Sequence, residues 1–176
     1  MKKYHGITLI EFLITTTLVV LALSIAVPSY KTYVDNARVT TTSNAFIGAM
    51  HLARSEAIKR GQPVSVCAAA NTQQTACTTT GNWANGWLVF INTGSGQPAN
   101  TASIIQKHNP INGQNGIASA QSILTFDQAG ASATGTESLN IGPISCSQSH
   151  AKTQAITIGT TGHINTNTIS CQSQSG

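Results

Sequence analysis

From Ile7 to Val27 the chain reads ITLIEFLITTTLVVLALSIAV, 21 residues whose one formal charge is Glu11. As a helix this run spans roughly 31 Å, enough to cross the hydrocarbon core of a bilayer. A carboxylate placed there costs up to a few kcal/mol unless it finds a partner, so Glu11 marks a function rather than an accident of composition.

Beyond Pro28 the apolar positions thin out and recur every three or four residues: Tyr30, Tyr33, Val34 and Ala37, then Phe46, Met50, Ala53 and Ala57. That spacing predicts an amphipathic helix over 29–61, a direct continuation of the membrane-length run over 7–28. Pro28 removes one backbone hydrogen bond at the join and is expected to kink or locally melt the helix. Glu56 and Arg60 form a favourable i,i+4 pair, and Gly61-Gln62-Pro63 supplies the stop. A helix from Thr8 to Arg60 would be roughly 80 Å long.

After Gly61 the period changes to two. Residues 63–67, 86–91, 103–106, 122–126 and 154–158 read as short strands bounded by Gly, Asn and Ser. One helix followed by a series of strands predicts an α+β fold. Its long N-terminal α-helix, with a transmembrane half and an amphipathic half, packs on a C-terminal antiparallel β-sheet head over 62–176.

Composition narrows the setting. Of 176 residues, 40% are hydrophobic and only 8% charged, with long tracts of Ser, Thr, Asn, Gln and Gly, as in exported β-rich proteins. The formal charge of +4 is weaker than it looks, because Lys2 and Lys3 precede the apolar run; without them seven Lys and Arg face five Asp and Glu. Scattered charge of this size does not make a phosphate-binding surface. Cys67, Cys77, Cys146 and Cys171 all follow the membrane-length run and are even in number, which predicts two disulfides in an oxidising compartment. Three pairings are open; Cys67 with Cys77 and Cys146 with Cys171 close the shortest loops and are preferred. Zinc is the rival reading, weakened by the absence of any CxxC pair.

MKKYHG followed by ITLIEFLITTTLVVLALSIAVPSY resembles the class III signal of type IV pilins and pseudopilins. The resemblance implies a leader over 1–6, cut by a prepilin peptidase between Gly6 and Ile7, and N-methylation of Ile7, where the family most often has phenylalanine. Glycine before the cut lets the peptidase approach the backbone closely. The resemblance also implies assembly roles for Glu11, whose carboxylate would pair with the N-terminal amine of a neighbouring subunit, and for Pro28. A conventional secretory signal cut after Ser24-Ile25-Ala26 is the alternative, but Glu11, Thr15-Thr16-Thr17 and the length of the run all count against it.

In the head, Cys67, Cys77, Trp83 and Gly86-Trp87-Leu88-Val89-Phe90 are similar to the GspH/FimT-type minor pilins and pseudopilins. So are Leu124-Thr125-Phe126-Asp127 with Gly130, and Ile156-Thr157-Ile158-Gly159-Thr160-Thr161-Gly162. This implies a structural subunit of a type IV pilus or related pseudopilus, whose partners are other pilins, the prepilin peptidase and an inner-membrane assembly platform. It would pass the inner membrane once with its head in the periplasm, and lie outside the cell when built into a pilus. Two alternatives within the family are an H-type pseudopilin of a type II secretion system and a DNA-binding minor pilin for natural transformation. The latter relatives use a C-terminal glycine-arginine-x-arginine segment; the matching stretch here is Gly162-His163-Ile164-Asn165, without either arginine. Lys107, Lys152 and His163 remain as candidate ligand contacts. Trp83 and Trp87 read as core residues beside a disulfide. His51, His108, His150 and His163 show no metal-ligand spacing, with His108 and His150 expected in surface loops, and Gly94-Ser95-Gly96 is a lone turn. No enzyme activity, cofactor or metal is expected.

Overall fold

The computed structural model describes residues 8–111, 115–146 and 151–171. Among these residues one α-helix, α1 (Leu9–Arg60), is followed by eight strands: β1 (Val64–Ala68), β2 (Trp87–Ile91), β3 (Ile104–His108), β4 (Asn115–Ser119), β5 (Ile123–Phe126), β6 (Glu137–Pro143), β7 (Lys152–Ile158) and β8 (Ile164–Ser170), with a single 3-10 turn, Thr101–Ser103, before β3. This is the α+β arrangement of a long N-terminal helix and antiparallel sheets that the sequence pattern predicts. The chain divides into two compact units, one reaching Val34 and the other beginning at Asp35.

The first unit is helix. Thr8 caps it: its Oγ1 accepts from the Glu11 N–H at 3.3 Å, and its carbonyl accepts from Phe12 N–H at 3.1 Å. This is half of the Ser/Thr-x-x-Glu capping pattern, and it places Glu11 in the first turn, where the helix dipole favours a negative charge. The helix assignment continues through Pro28, so the proline is carried within α1 and does not melt it. One missing N–H removes one bond from a ladder whose neighbouring bonds hold the turn in place.

In the second unit the last half of α1 packs on two four-stranded antiparallel sheets, with strand orders β3-β2-β1-β5 and β4-β6-β7-β8. The helix contributes Phe46, Ala49, Met50, Ala53 and Ala57. The first sheet contributes Val64, Val66, Ala68, Trp87, Val89, Leu124 and Phe126, and the second Ile117, Leu139, Ile141, Ile156 and Ile158. Phe46 stands edge-on to both indoles, 5.4 Å from Trp83 and 5.1 Å from Trp87 between ring centroids. His108 is not in a loop: it ends β3 and lies flat on Trp87 at 3.7 Å.

Two sequence expectations are corrected here. The buried stripe of α1 begins at Val39 and runs through Ser43, Phe46, Met50, Ala53 and Ala57, whereas Tyr30 and Tyr33 are 69% and 72% exposed. Apolar spacing alone cannot tell where along a helix a head begins to cover it. The second correction is that β4, β6 and β8 are strands, although none reads as one. Their sequences, NGIAS, ESLNIGP and INTNTIS, hold the residues of loops, and only pairing to neighbours makes them extended.

The outer face of the first sheet carries a second, smaller apolar cluster of Cys67, Ala69, Cys77, Leu88 and Phe90. Cys67 and Cys77, 10 residues apart, are joined by a disulfide with Cα atoms 5.7 Å apart. The Gln97 side-chain amide makes two bonds to the Cys77 backbone, accepting from its N–H at 2.9 Å and donating to its carbonyl at 3.1 Å. The disulfide loop and the loop after β2 are thereby tied into one cover. Replacing Cys67 and Cys77 together by Ala is expected to lower stability by about 2–3 kcal/mol, the entropy of a short closed loop. Denaturant unfolding of the oxidised chain and of the double variant measures it.

Candidate assembly site

The residues that sequence reasoning assigns to assembly lie along the first half of α1. Gly6 and Ile7 lie outside the described residues. From Leu9 to Val27 every residue is exposed, including Leu9, Phe12, Val20, Leu21 and Ile25, each more than 60%. A continuous apolar surface of this kind suits lipid or the faces of other helices. The helix is long and apolar enough to cross a membrane.

Its polar side chains are compatible with that surrounding. The Thr15 hydroxyl donates to the Phe12 carbonyl at 2.9 Å, Thr16 to Leu13 at 3.0 Å, Thr17 to Ile14 at 2.8 Å and Ser24 to Leu21 at 2.7 Å. Each hydroxyl spends its proton on the helix itself, so no donor needs water in a medium that has none. Glu11 is the exception: it is a formal charge on an otherwise apolar surface.

The head is held to α1 by a residue the sequence reading missed. Arg54 lies beside the buried stripe, between Ala53 and Ala57. Its Nε donates to the Gly130 carbonyl at 2.9 Å and its Nη2 to the Thr161 carbonyl at 3.2 Å. The first carbonyl belongs to the turn after β5, which the Asp127 carboxylate holds by accepting from the Ala129 and Ala131 N–H groups, both at 2.9 Å. The second belongs to the turn between β7 and β8. Ser132 N–H donates to the Thr160 carbonyl at 2.9 Å and joins the two turns directly. Two head motifs about 30 residues apart, Leu124-Thr125-Phe126-Asp127 with Gly130 and Gly159-Thr160-Thr161-Gly162, thus converge on one guanidinium, whose planar fork suits two carbonyls at once. A basic residue flanked by buried stripe positions was the available signal. Arg54→Met, which keeps the stem but removes both bonds, is expected to cost about 1–3 kcal/mol, read as a lowered unfolding midpoint.

Near the end of α1, Glu56 pairs with Arg60 and Lys59. The Arg60 hydrogen bond holds its carboxyl below the ordinary carboxylate range. A carboxyl whose folded value is depressed adds stability above its ordinary value near 4.5, and that contribution fades as pH falls through the lowered value. Both basic partners are exposed and solvent screens them, so the effect is small.

Cys146 and Cys171 are joined by a second disulfide, Cα atoms 5.7 Å apart, which connects the segment after β6 to the end of β8. With both pairs bonded, no thiolate is left for the zinc alternative.

The candidate ligand contacts are not brought together. Lys107 lies on β3 in the first sheet and donates from Nζ to the Gln73 carbonyl. Lys152 opens β7 and His163 precedes β8, at opposite ends of a hairpin with seven-residue strands and so about 20 Å apart. His163 Nε2 lies 3.1 Å from Asn165 Oδ1. His150 lies outside the described residues.

Residues 42–162 match the family model described as Type II transport protein GspH. The chain belongs to the GspH family. The match spans the buried stripe of α1 from Ser43 onward, Arg54 and both turns that Arg54 joins. The fold is similar to that of the type IV minor pilin FimU of Pseudomonas aeruginosa PAO1, solved in two crystal forms. The first has a TM-score of 0.60 at 17% identity and covers 80% of this chain and 98% of that one. The second has a TM-score of 0.58, also at 17% identity, and covers 76% and 98%. No curated protein sequence matches the chain. The GspH-family assignment agrees with the GspH/FimT-type resemblance of the head and with the α+β fold.

Proposed function

We propose that this GspH-family chain is a minor subunit of a type IV pilus, built into the filament through the first half of α1. The observation that carries the reading is that half-helix: an uncovered apolar surface of membrane length with self-satisfied hydroxyls and a single carboxylate in its first turn. A prepilin peptidase would cut between Gly6 and Ile7, the new N-terminus would be methylated, and the chain would rest in the inner membrane with its head in the periplasm. The Glu11 carboxylate would then pair with the Ile7 amine of a neighbour, so that the two buried charges neutralise each other and set the axial register. An assembly platform would lift the subunit into the filament. The role is structural, with no chemistry performed on a substrate.

Pro28 followed by Ser29-Tyr30 is closer to pilus subunits than to H-type secretion pseudopilins, and supports the pilus over the secretion machine. A DNA-receptor role gains nothing from the placement of Lys107, Lys152 and His163. Mass spectrometry of the mature chain is expected to find an N-terminus at N-methyl-Ile7; a start at Val27 would overturn the pilin reading. Deletion of the gene is expected to impair piliation. Intact pili combined with a block in exoprotein secretion would assign the chain to a type II secretion system instead.

A further inference from the structure

Two four-stranded sheets have four edges, and three of them are closed. The edge at β3 carries Lys107 and an irregular register to β2 between Val89 and Phe90. The edge at β5 is covered by residues 131–133: Ala133 N–H donates to the Thr125 carbonyl at 2.8 Å, and Phe126 bridges Ser132. At β4 three of five residues are buried, and the Ser119 carbonyl lies so close to Gly81 that a Cβ there would come within 2.8 Å of it. A charge, a register break and covering backbone are the ordinary means by which proteins prevent edge-to-edge pairing.

The edge at β8 has none of these. It is seven residues long and pairs with β7 in unbroken register from Ile164 opposite Ile158 to Ser170 opposite Lys152. Its sequence INTNTIS contains no charge, proline or glycine, and residues 165–168 are exposed on both faces. Gly159 N–H donates to the His163 carbonyl at 2.8 Å, which fixes the alternation. Asn165, Asn167 and Ile169 exchange backbone bonds with β7, while Ile164, Thr166, Thr168 and Ser170 direct their N–H and C=O groups outward. Among the described residues nothing pairs with that outward row. The strand is also anchored, by its turn to Arg54 at one end and by the Cys171 disulfide just past the other.

We propose that the outer edge of β8 is a strand-addition site, occupied in the filament by an extended, uncharged segment of the adjacent subunit. The inference rests on the reading of the chain as a filament subunit, and that reading also selects the occupant. Subunits of a polar filament all point the same way, so neighbouring heads meet through unlike surfaces, and the two-fold axis that would pair β8 with another β8 is absent. Backbone bonds then supply the adhesion, and side chains at alternate positions select the partner.

Thr166→Pro tests the site, because an outward N–H is not used within the head and proline is tolerated on such an edge. The full-length variant is expected to unfold within about 3 °C of the unmodified chain, and its content in sheared filaments, measured by immunoblot, to fall by tenfold or more. A photo-crosslinking amino acid at Asn167 in the otherwise unchanged chain is expected to give an adduct with a different filament subunit; this arm decides the matter should Thr166→Pro fold poorly. Incorporation of a folded Thr166→Pro chain at the normal level overturns the proposal. So does a crosslink only at twice the chain's own mass, or no crosslink in filaments that contain the chain. If the unmodified chain never enters filaments, the pilus reading falls, and this proposal falls with it.

Discussion

A Gly162→Val chain is expected not to hold a folded head. Gly162 sits at φ +74°, and a Cβ there would stand 2.1 Å from the Gly130 carbonyl oxygen and 3.2 Å from Arg54 Nε. Valine therefore meets two obstacles: a left-handed backbone that a β-branched residue rarely adopts, and a clash with backbone that cannot turn aside as a side chain could. Relief requires the turns at Gly130 and Gly162 to separate, which also breaks the bonds from Arg54 and from Ser132. The combined cost is expected to exceed about 4 kcal/mol, a large share of the 5–15 kcal/mol that holds a typical domain together. Thermal unfolding of the full chain in detergent, followed by the near-ultraviolet signal of Trp83 and Trp87, reads the effect. Gly48→Ala is the control, since a Cβ there meets nothing within 4 Å. A Gly162→Val head that melts within a few degrees of the unmodified one would refute the convergence of the two turns as a structural requirement.

The second large effect is expected in assembly rather than folding. Glu11→Ala should be processed and inserted normally, because removing a carboxylate lowers the cost of entering hydrocarbon by about 2.5–3.5 kcal/mol. Its recovery in filaments should nonetheless fall by tenfold or more, because the neighbour's amine loses its partner. Glu11 also stands in the first turn of α1, with its N–H bonded to Thr8 Oγ1, so a plain helix-end role must be separated from the intersubunit one. Thr8→Ala, which removes the cap and leaves the charge, should reduce incorporation only slightly, in line with about 1 kcal/mol for a lost cap. Glu11→Gln keeps the shape without the charge and should behave like Glu11→Ala. Normal incorporation of either Glu11 variant would rule out the charge pair as the register device.

The legible parts of the chain share one property: each was decided by residues near one another in sequence. The membrane-length run needs only its own composition, and α1 ends at Arg60 because Gly61, at φ +63°, and Pro63 stop it. The strands VSVCA, WLVFI and ILTF could be read because both faces of the first sheet are covered, one by α1 and the other by the disulfide cluster, which favours apolar side chains on both; the exceptions, Ser65 and Thr125, hydrogen-bond to each other. Of the second sheet only β7 showed itself, through Ala155-Ile156-Thr157-Ile158. In β4 and β6 one or two apolar residues face the core and the rest are Asn, Gly, Ala, Ser, Glu and Pro.

The candidate site divides along the same line. The sequence by itself determined the exposed apolar half-helix with its lone carboxylate, since a bilayer responds to length and hydropathy alone. Only the tertiary structure decided that the head covers α1 from Val39 onward, that Arg54 joins two turns about 30 residues apart, and that β8 is the edge left open. The carbonyls that Arg54 reaches and the open row on β8 are backbone groups, placed by contacts across long separations. A carbonyl or an unpaired N–H is the same in every residue, and so leaves no mark in the order of side chains.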